Sequence, residues 1–325
     1  MNIHITLDYE LFFGASSGTV EKCLTLPTQR LLHLSKKHNI PLVFFIDAGY
    51  LYQIKKFIDH PACREDYERV TEQIKIVSES GHEIGLHFHP HWVDCAHDGK
   101  EWKMNTQRYR ADCFSKTEIN TLVNSFHQEI ITITGKPCCS FRAGGWCIQP
   151  FEIFKEALSQ NNIFIDSSVY PNGKHLSKAH YYDFTNAPEQ PEWKFENDPL
   201  VVNSSGQFIE YPITSDALPP LFYFHLYWKM KTRPLFYKPI GDGMWLKDKK
   251  KLYKQFYSST SLFASADGFF ASRLKNILQK QSENNKQRMV ILSHPKSLAE
   301  CSYYYLEHFI EHALKQKHTF KTFTQ

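Results

Sequence analysis

Short apolar segments alternate with helical patterns along most of this 325-residue chain, and this rhythm constrains its fold more than any other feature. Each apolar segment is six to nine residues long and rich in β-branched or aromatic residues, as buried strands are. The predicted strands are 2–7, 41–47, 82–88, 138–143, 163–169, 206–214 and 288–294. The predicted helices are 27–39, 67–77, 119–133, 150–160 and 305–315. This alternation predicts an α/β fold, a mostly parallel sheet with helices outside.

Polar residues stand at the carboxyl end of nearly every predicted strand. They are Asp8, Glu10, Asp47, His87, His89, His91, Arg142, Asp166 and His294. Their spread over many strands favours a barrel over an open sheet, because β/α barrels carry their chemistry at this face. The segments 92–115 and 170–285 interrupt the rhythm, and we interpret both as insertions over the barrel mouth. The whole chain, 1–325, is then a single catalytic domain.

Composition restricts the classes of partner and compartment. Hydrophobic residues make up 42% and charged residues 22% of the chain, which is typical of a globular protein. A net charge of +4 gives no reason to expect a nucleic-acid partner or strong attraction to an anionic membrane. The chain contains no run of about 18 apolar residues, so we expect no integral membrane segment. Eight cysteines without a CxxC motif, and no leader-like start, predict a cytoplasmic protein with free thiols.

Aromatic residues are numerous, with 25 Phe, 17 Tyr and 6 Trp. Most of them are expected to pack in the core, and others could line a groove that stacks on sugar rings. The stretch 218–237 is especially aromatic. It could be a specificity element, a dimer surface or an edge that contacts a membrane.

The segment GLHFHPH places His87, His89 and His91 at alternate positions. Alternating histidines can form a three-histidine metal cage, a charged strand face or a chance pattern. Pro90 disfavours continuation of the strand, so a helical turn would bring His87 and His91 together. Neutral imidazoles are good ligands for Zn²⁺, Co²⁺ or Ni²⁺.

Carboxylates and cations at other strand ends could complete such a site. Asp8 and Glu10 lie two residues apart on one side of the first strand, which is costly unless a cation neutralises them. Arg142, before two glycines, needs an anionic partner if it is buried. His294 directly follows the last predicted strand, where a lone histidine is more often structural than catalytic.

The order of these motifs, TLDYE, GHEIGLHFHPH, FRAGG, DSSVY and LSH, resembles that of the NodB-homology polysaccharide deacetylases, carbohydrate esterase family 4. The resemblance covers roughly 1–170 and 286–325. The residues within these motifs are similar to those of a branch found with lipopolysaccharide and surface-polysaccharide biosynthesis. It implies a distorted (β/α)7-type barrel that uses a divalent metal, Zn²⁺ first and Co²⁺ or Ni²⁺ as alternatives. The implied reaction removes an acyl group from an N-acetylated sugar or glycan intermediate.

The resemblance also implies a role for each residue. The implied metal ligands are Glu10, His87 and His91, which leaves His89 in the barrel wall or behind the ligands. The implied catalytic residues are Asp8 as base, Arg142 as its orienting partner, His294 as general acid and Asp166 as the partner of His294. The expected substrate contacts are Trp92, Gly144, Gly145, Trp146 and Leu292, with Leu292 as the wall for the acetyl methyl.

Departures from the family pattern keep other functions open. Tyr9 stands where most members have a metal-binding aspartate, and no tryptophan accompanies DSSVY. The chain could hydrolyse another C–N bond, as allantoinase-like relatives do, or bind metal or glycan without turnover. The joint presence of Asp8, Arg142 and His294 favours an active enzyme.

Overall fold

A computed structural model of the chain describes residues 1–246 and 255–325. Its helices are α1 (Leu26–His38), α2 (Ala48–Ile54), α3 (Pro61–Glu79), α4 (Lys116–Thr134), α5 (Glu152–Gln160), α6 (Pro220–Thr232), α7 (Pro234–Tyr237), α8 (Leu274–Glu283) and α9 (Glu300–Lys315). The strands of the main sheet are β1 (Asn2–Tyr9), β2 (Val43–Asp47), β3 (Glu83–Phe88), β6 (Ser140–Ala143), β7 (Ile165–Asp166), β10 (Trp193–Phe195), β11 (Phe208–Glu210), β14 (Arg288–Ser293) and β15 (Thr319–Phe320). Three hairpins lie outside it, β4 (Ala96–His97) with β5 (Trp102–Lys103), β8 (Lys174–Leu176) with β9 (Tyr181–Asp183), and β12 (Ser215–Leu218) with β13 (Thr260–Phe263).

The main sheet curls into a distorted barrel, which confirms the predicted α/β fold. In the described parts of the chain, seven strands run parallel in the order β11-β7-β6-β3-β2-β1-β14, and β10 adds an antiparallel edge. The segments that follow β11 and β13 close the curl onto β14 through isolated backbone hydrogen bonds. The Thr214 amide donates to the Val290 carbonyl at 3.0 Å, and the Ala264 amide donates to the Thr214 carbonyl at 2.6 Å.

Local sequence signals explain where the helices begin and end. In α4, Ser115 and Glu118 form a reciprocal capping box, and Gly135 ends the helix with a left-handed φ of 70°. Its apolar positions, including Ile119 and Phe126, lie in the core. The amphipathic pattern therefore fixed both the helix and the face it buries.

The insertion predicted at 170–285 is too wide. β10 and β11 lie within it, yet both belong to the main sheet, and α8 follows a segment that pairs with β14. These strands are only three residues long, too short for an alternating pattern to reveal β10 in particular. The part of this segment at 247–254 lies outside the described residues. The segment 92–115 carries the β4–β5 hairpin outside the main sheet, and its placement over the barrel mouth stays a prediction.

Because the barrel strands are parallel, their carboxyl ends meet at one rim. Asp8 lies near the end of β1, His87 near the end of β3 and Arg142 near the end of β6. His294 follows β14 directly. In the parts that the structure describes, no helix has the length and apolar character needed to cross a bilayer.

Candidate active site

Three ligand-type side chains converge at the rim: Glu10, His87 and His89. The Nε2 atoms of His87 and His89 lie 3.1 and 2.7 Å from Glu10 Oε2 and 3.2 Å from each other. Tetrahedral ligands at about 2.0 Å from a small cation stand about 3.3 Å apart, close to this spacing. All three side chains are buried, and in the described chain this is the buried group with metal-ligand geometry.

The environment of the histidines also fits metal binding. The Nδ1–H of His87 donates to the Arg142 carbonyl at 3.0 Å, which directs Nε2 towards Glu10. His89 Nδ1 is buried without a partner among the described atoms. A side chain at Gly144 would place Cβ 2.4 Å from the His89 ring, so the glycine leaves room for this imidazole. A carboxylate and two imidazoles suit Zn²⁺.

His91, expected as a ligand, does not join this group. β3 ends at Phe88, but His89 stays extended, with φ −115° and ψ 90°. The period of two therefore returns the His89 side chain to the side of His87. A helical turn begins only at Pro90 and carries His91 away, where it stacks on Tyr109 at 4.8 Å. The strand ends at Phe88 as predicted, but the helical turn expected to bring His91 to His87 begins only after the extended His89.

Asp8 lies beside Glu10, His87 and His89 and is held by Arg142, the pairing that the family resemblance implies; its role as base stays a prediction. The guanidinium donates to Asp8 Oδ1 at 2.6 Å and also binds the carbonyl and hydroxyl of Ser167. Arg142 is completely buried and also stacks over the Phe45 ring. Asp8 Oδ2 faces His87 Nε2 at 3.7 Å and His294 Nε2 at 3.9 Å. One carboxylate oxygen is therefore anchored while the other faces the centre.

The partner of His294 is Asp267, which corrects the assignment of Asp166. Asp267 Oδ2 lies 2.8 Å from His294 Nδ1, and Oδ1 accepts hydrogen bonds from the His294 amide and the Ser293 hydroxyl. His294 Nε2 then points to the centre, 3.7 Å from Glu10 Oε1. Asp267 follows the segment that bridges to β14 at Ser265, a pairing too irregular for the sequence pattern to show.

Asp166 belongs to a separate buried pair on the other side of Arg142. Its Oδ1 accepts a hydrogen bond from Ser168 at 2.6 Å, and Glu210 faces it across the β7–β11 pairing. Burial raises the pKa of Asp166, and burial together with the charge of Asp166 raises the pKa of Glu210 well above its ordinary value. The two carboxyls are therefore protonated more readily than exposed ones, and Asp166 lies at this pair rather than at His294.

Lys296 belongs to the site, although the sequence pattern did not predict it. Its ammonium is completely buried, 2.9 Å from Glu10 Oε1, and donates to the Leu11 carbonyl at 2.6 Å. The rings of Phe12, Phe13 and Trp245 surround it at 4.5 to 4.9 Å. The signal was present in HPKS, two residues after His294, but a lysine in a turn is usually exposed.

Charge in the site follows from burial and these contacts. Burial alone would raise the pKa of Glu10, but Lys296 and the two histidines outweigh it and hold the pKa well below its ordinary value. Burial lowers the pKa of His89 to about 4, so its imidazole is neutral. Burial also acts to lower the pKa of His87, but Asp8 and Glu10 raise it to about 9.

We expect Lys296→Met to lower the free energy of unfolding of the metal-free protein by about 3–5 kcal/mol, because it leaves the Glu10 carboxylate buried without its cation. Urea denaturation in the presence of a chelator measures this change. The exposed Lys36→Met is the matched control and should change stability by less than about 0.5 kcal/mol. Zn²⁺ should then stabilise Lys296→Met more than wild type. Equal stability of both variants would contradict the role of Lys296.

The predicted substrate contacts divide into two groups. Trp92 is buried, and its indole N–H donates to Asp47 Oδ2 at 2.6 Å, so it packs behind the site and does not face substrate. Leu292 is also buried, on the barrel face shared with His294 two residues on, and its contact with an acetyl methyl stays a prediction.

The Gly144–Trp146 turn lies closer to the rim. Gly145 and Trp146 both have a φ of 59°, and a Cβ at Gly145 would lie 2.8 Å from Tyr109 and from His180. A tryptophan in this left-handed conformation is strained, as residues of functional sites often are. The Trp146 ring packs 5.2 Å from Phe263. Whether the amides of this turn stabilise an oxyanion stays a prediction.

No protein-family model matches the sequence, and no curated protein matches it. Among solved structures, a protein from Mycobacterium smegmatis assigned as a polysaccharide deacetylase is similar at 13% identity, with a TM-score of 0.49 over 100% of this chain and 93% of that one. A peptidoglycan N-acetylglucosamine deacetylase is similar at 12% identity and a TM-score of 0.44, over 99% and 86% of the two chains. A pseudoenzyme from Bacillus anthracis is similar at 9% identity and a TM-score of 0.43, over 99% and 64%.

Two of these structural neighbours are described as deacetylases, and the third is described as a pseudoenzyme of carbohydrate esterase family 4. It is the family whose motif order the sequence resembles. The similarity concerns the fold, and the argument for function rests on the residues of the site. The branch concerned with lipopolysaccharide stays a prediction.

Proposed function

We propose that this chain is a metal-dependent carbohydrate deacetylase that uses Zn²⁺ held by Glu10, His87 and His89. The observation that carries the proposal is the placement of Asp8 Oδ2 and His294 Nε2 beside Glu10, His87 and His89, 3.9 Å from each other. A bound divalent cation would polarise the amide carbonyl and make water more acidic. The remaining chemistry belongs to the side chains around it.

Asp8 and His294 divide the proton transfers between them. Asp8 Oδ2, left free by the Arg142 contact at Oδ1, takes the proton of the attacking water. His294 donates a proton from Nε2 to the leaving amine, while Asp267 holds Nδ1 and fixes the orientation of the ring. The amide C–N bond breaks, acetate leaves with the water oxygen, and the sugar amine is released.

Aromatic side chains near His294 support a sugar substrate. Trp245, about half exposed, meets the His294 ring edge-on at 5.6 Å, and Phe263 lies 6.5 Å away on another side. Aromatic faces of this kind stack on sugar rings. All eight cysteines are free, which supports a reducing compartment and a precursor of a surface polysaccharide as substrate.

The test combines metal analysis with an acetate-release assay on N-acetylhexosamine compounds. One Zn²⁺ per chain and acetate release support the proposal. Bound metal with no release from any N-acetylated sugar would reject the deacetylase and require assays on other C–N bonds, such as cyclic amides.

A second candidate is a barrel that does not turn over substrate. Lys296 favours it, because its ammonium already balances the Glu10 carboxylate in the metal-free protein. This candidate predicts protein purified without metal that gains no activity when Zn²⁺ is added.

Asp267→Asn should shift the alkaline limb of the kcat–pH profile to lower pH. Burial lowers the pKa of His294, but Asp267, Asp8 and Glu10 outweigh it and raise the pKa above its ordinary value of 6.5. His294 can donate only while protonated, so activity is lost as pH rises through this pKa. Removing the Asp267 charge lowers the pKa, and the loss then begins at lower pH. An alkaline limb that does not move would show that Asp267 does not tune the acid.

A further inference from the structure

Helix α6 is apolar on both sides. In the described residues one side packs into the protein, and Phe256 covers part of the other, with its ring 5.1 Å from Phe224 and 5.2 Å from Tyr227. Phe222 and Tyr223 are buried, and the Phe222 ring lies 5.2 Å from Phe269 in a small second core. The opposite side exposes Leu221 and Trp228, with 63% and 62% of their surface accessible. A helix that is hydrophobic all round normally has both faces covered.

The exposed apolar surface extends beyond one turn. Phe224, 54% exposed, lies three residues after Leu221 and four before Trp228, so the three share one face of α6. Tyr227 is 45% exposed, and Leu235 on α7 is 93% exposed. We call these five residues the α6–α7 face. Single exposed apolar residues are ordinary, but a contiguous row marks an interaction surface.

Basic residues accompany this face. The segment from Pro220 to Gly241 contains Lys229, Lys231, Arg233 and Lys238 and no Asp or Glu. The whole chain has 38 basic and 34 acidic residues, an excess of four basic residues. The four in this segment account for that excess, and the rest of the chain has equal numbers of basic and acidic residues. Lys231, Arg233 and Lys238 are exposed. The small net charge thus conceals a concentrated positive surface.

We propose that the α6–α7 face docks on the surface of a bilayer that contains anionic phospholipids. At 13 residues, α6 is about 20 Å long, too short to span a hydrocarbon core of about 30 Å, and so it would lie in the plane of the interface. Trp228 and Leu235 enter the boundary of the acyl chains, and the ammonium and guanidinium groups of the neighbouring lysines and arginine contact lipid phosphates.

This combination favours lipid over other partners. Nucleic acid would be recognised by the basic residues, but it offers no apolar surface for Leu221 and Leu235. A second copy of the chain would bring the same positive charges face to face. The proposal goes beyond the catalytic one and does not depend on it.

The test is co-sedimentation of the full chain with vesicles of phosphatidylcholine, with and without phosphatidylglycerol. We expect at least about tenfold stronger binding to the anionic vesicles, weakened by salt. The double variant Trp228→Ser/Leu235→Ser should bind at least about tenfold less. The matched control is Leu176→Ser/Val201→Ser, which removes two exposed apolar residues elsewhere, 54% and 59% accessible, and should bind like wild type.

Three results would overturn the proposal. One is equal binding by wild type and the Trp228→Ser/Leu235→Ser variant, with unchanged thermal unfolding. Another is absence of vesicle binding together with a self-association, seen by sedimentation velocity, that the double variant abolishes. The third is binding of duplex nucleic acid more tightly than anionic vesicles, unaffected by the double variant. Each of these readouts is independent of acetate release.

Discussion

Asp8→Asn is expected to lower kcat for acetate release by about 10²–10⁴-fold while the protein still binds one Zn²⁺. An asparagine oxygen can still accept the Arg142 hydrogen bond, which is 2.6 Å long in the wild type, but it cannot take a proton from water. The ligand group Glu10, His87 and His89 is unchanged. Steady-state kinetics and metal analysis of the same preparation measure both expectations.

The control for this variant is Asp59→Asn, which removes an exposed aspartate outside the site described above and should keep wild-type kinetics. Loss of metal together with activity would make Asp8 a ligand, not a base. Unchanged activity would remove it from the mechanism.

His89→Ala is expected to weaken Zn²⁺ binding by more than about 100-fold, a larger effect than the 10- to 100-fold typical of groups behind the ligands. His89 Nε2 lies 2.7 Å from Glu10 Oε2, within the ligand group. His91→Ala should leave zinc affinity nearly unchanged, because its ring stacks on Tyr109 and meets Phe13 edge-on, outside the group. Competition with a chromophoric chelator measures both affinities without an activity assay.

His91→Ala should instead lower the free energy of unfolding, by roughly 2 kcal/mol or more, because it leaves a cavity among buried rings. His87→Ala provides the positive control for metal loss. If His91→Ala loses zinc as completely as His87→Ala while His89→Ala retains it, the ligand assignment from the sequence resemblance is restored.

Properties that depend on local pattern were predictable from the sequence. Short apolar segments predicted β1, β2, β3, β6, β7, β11 and β14. Apolar spacing predicted α1, α3, α4, α5 and α9, with α4 ending at Gly135. The pairing of Asp8 with Arg142 was implied by the family resemblance, and the residues alone indicated only that a buried arginine needs an anionic partner.

Contacts that depend on the backbone conformation of a single residue, or on an irregular pairing, were not predictable from the sequence. Whether His89 or His91 joins Glu10 is decided by one extended residue after β3, since one step along a strand reverses the side-chain direction. Asp267 reaches His294 through an isolated bridge at Ser265, without a regular strand.

The sequence alone therefore determined the parallel barrel, the rim that carries the polar residues and the types of ligand present, because periodicity and strand ends are local properties. Only the tertiary structure decided which histidine faces Glu10, that Asp267 orients His294, and that Lys296 is buried beside Glu10. These contacts join segments up to 286 residues apart, and their distances depend on how the barrel closes, which no local pattern encodes.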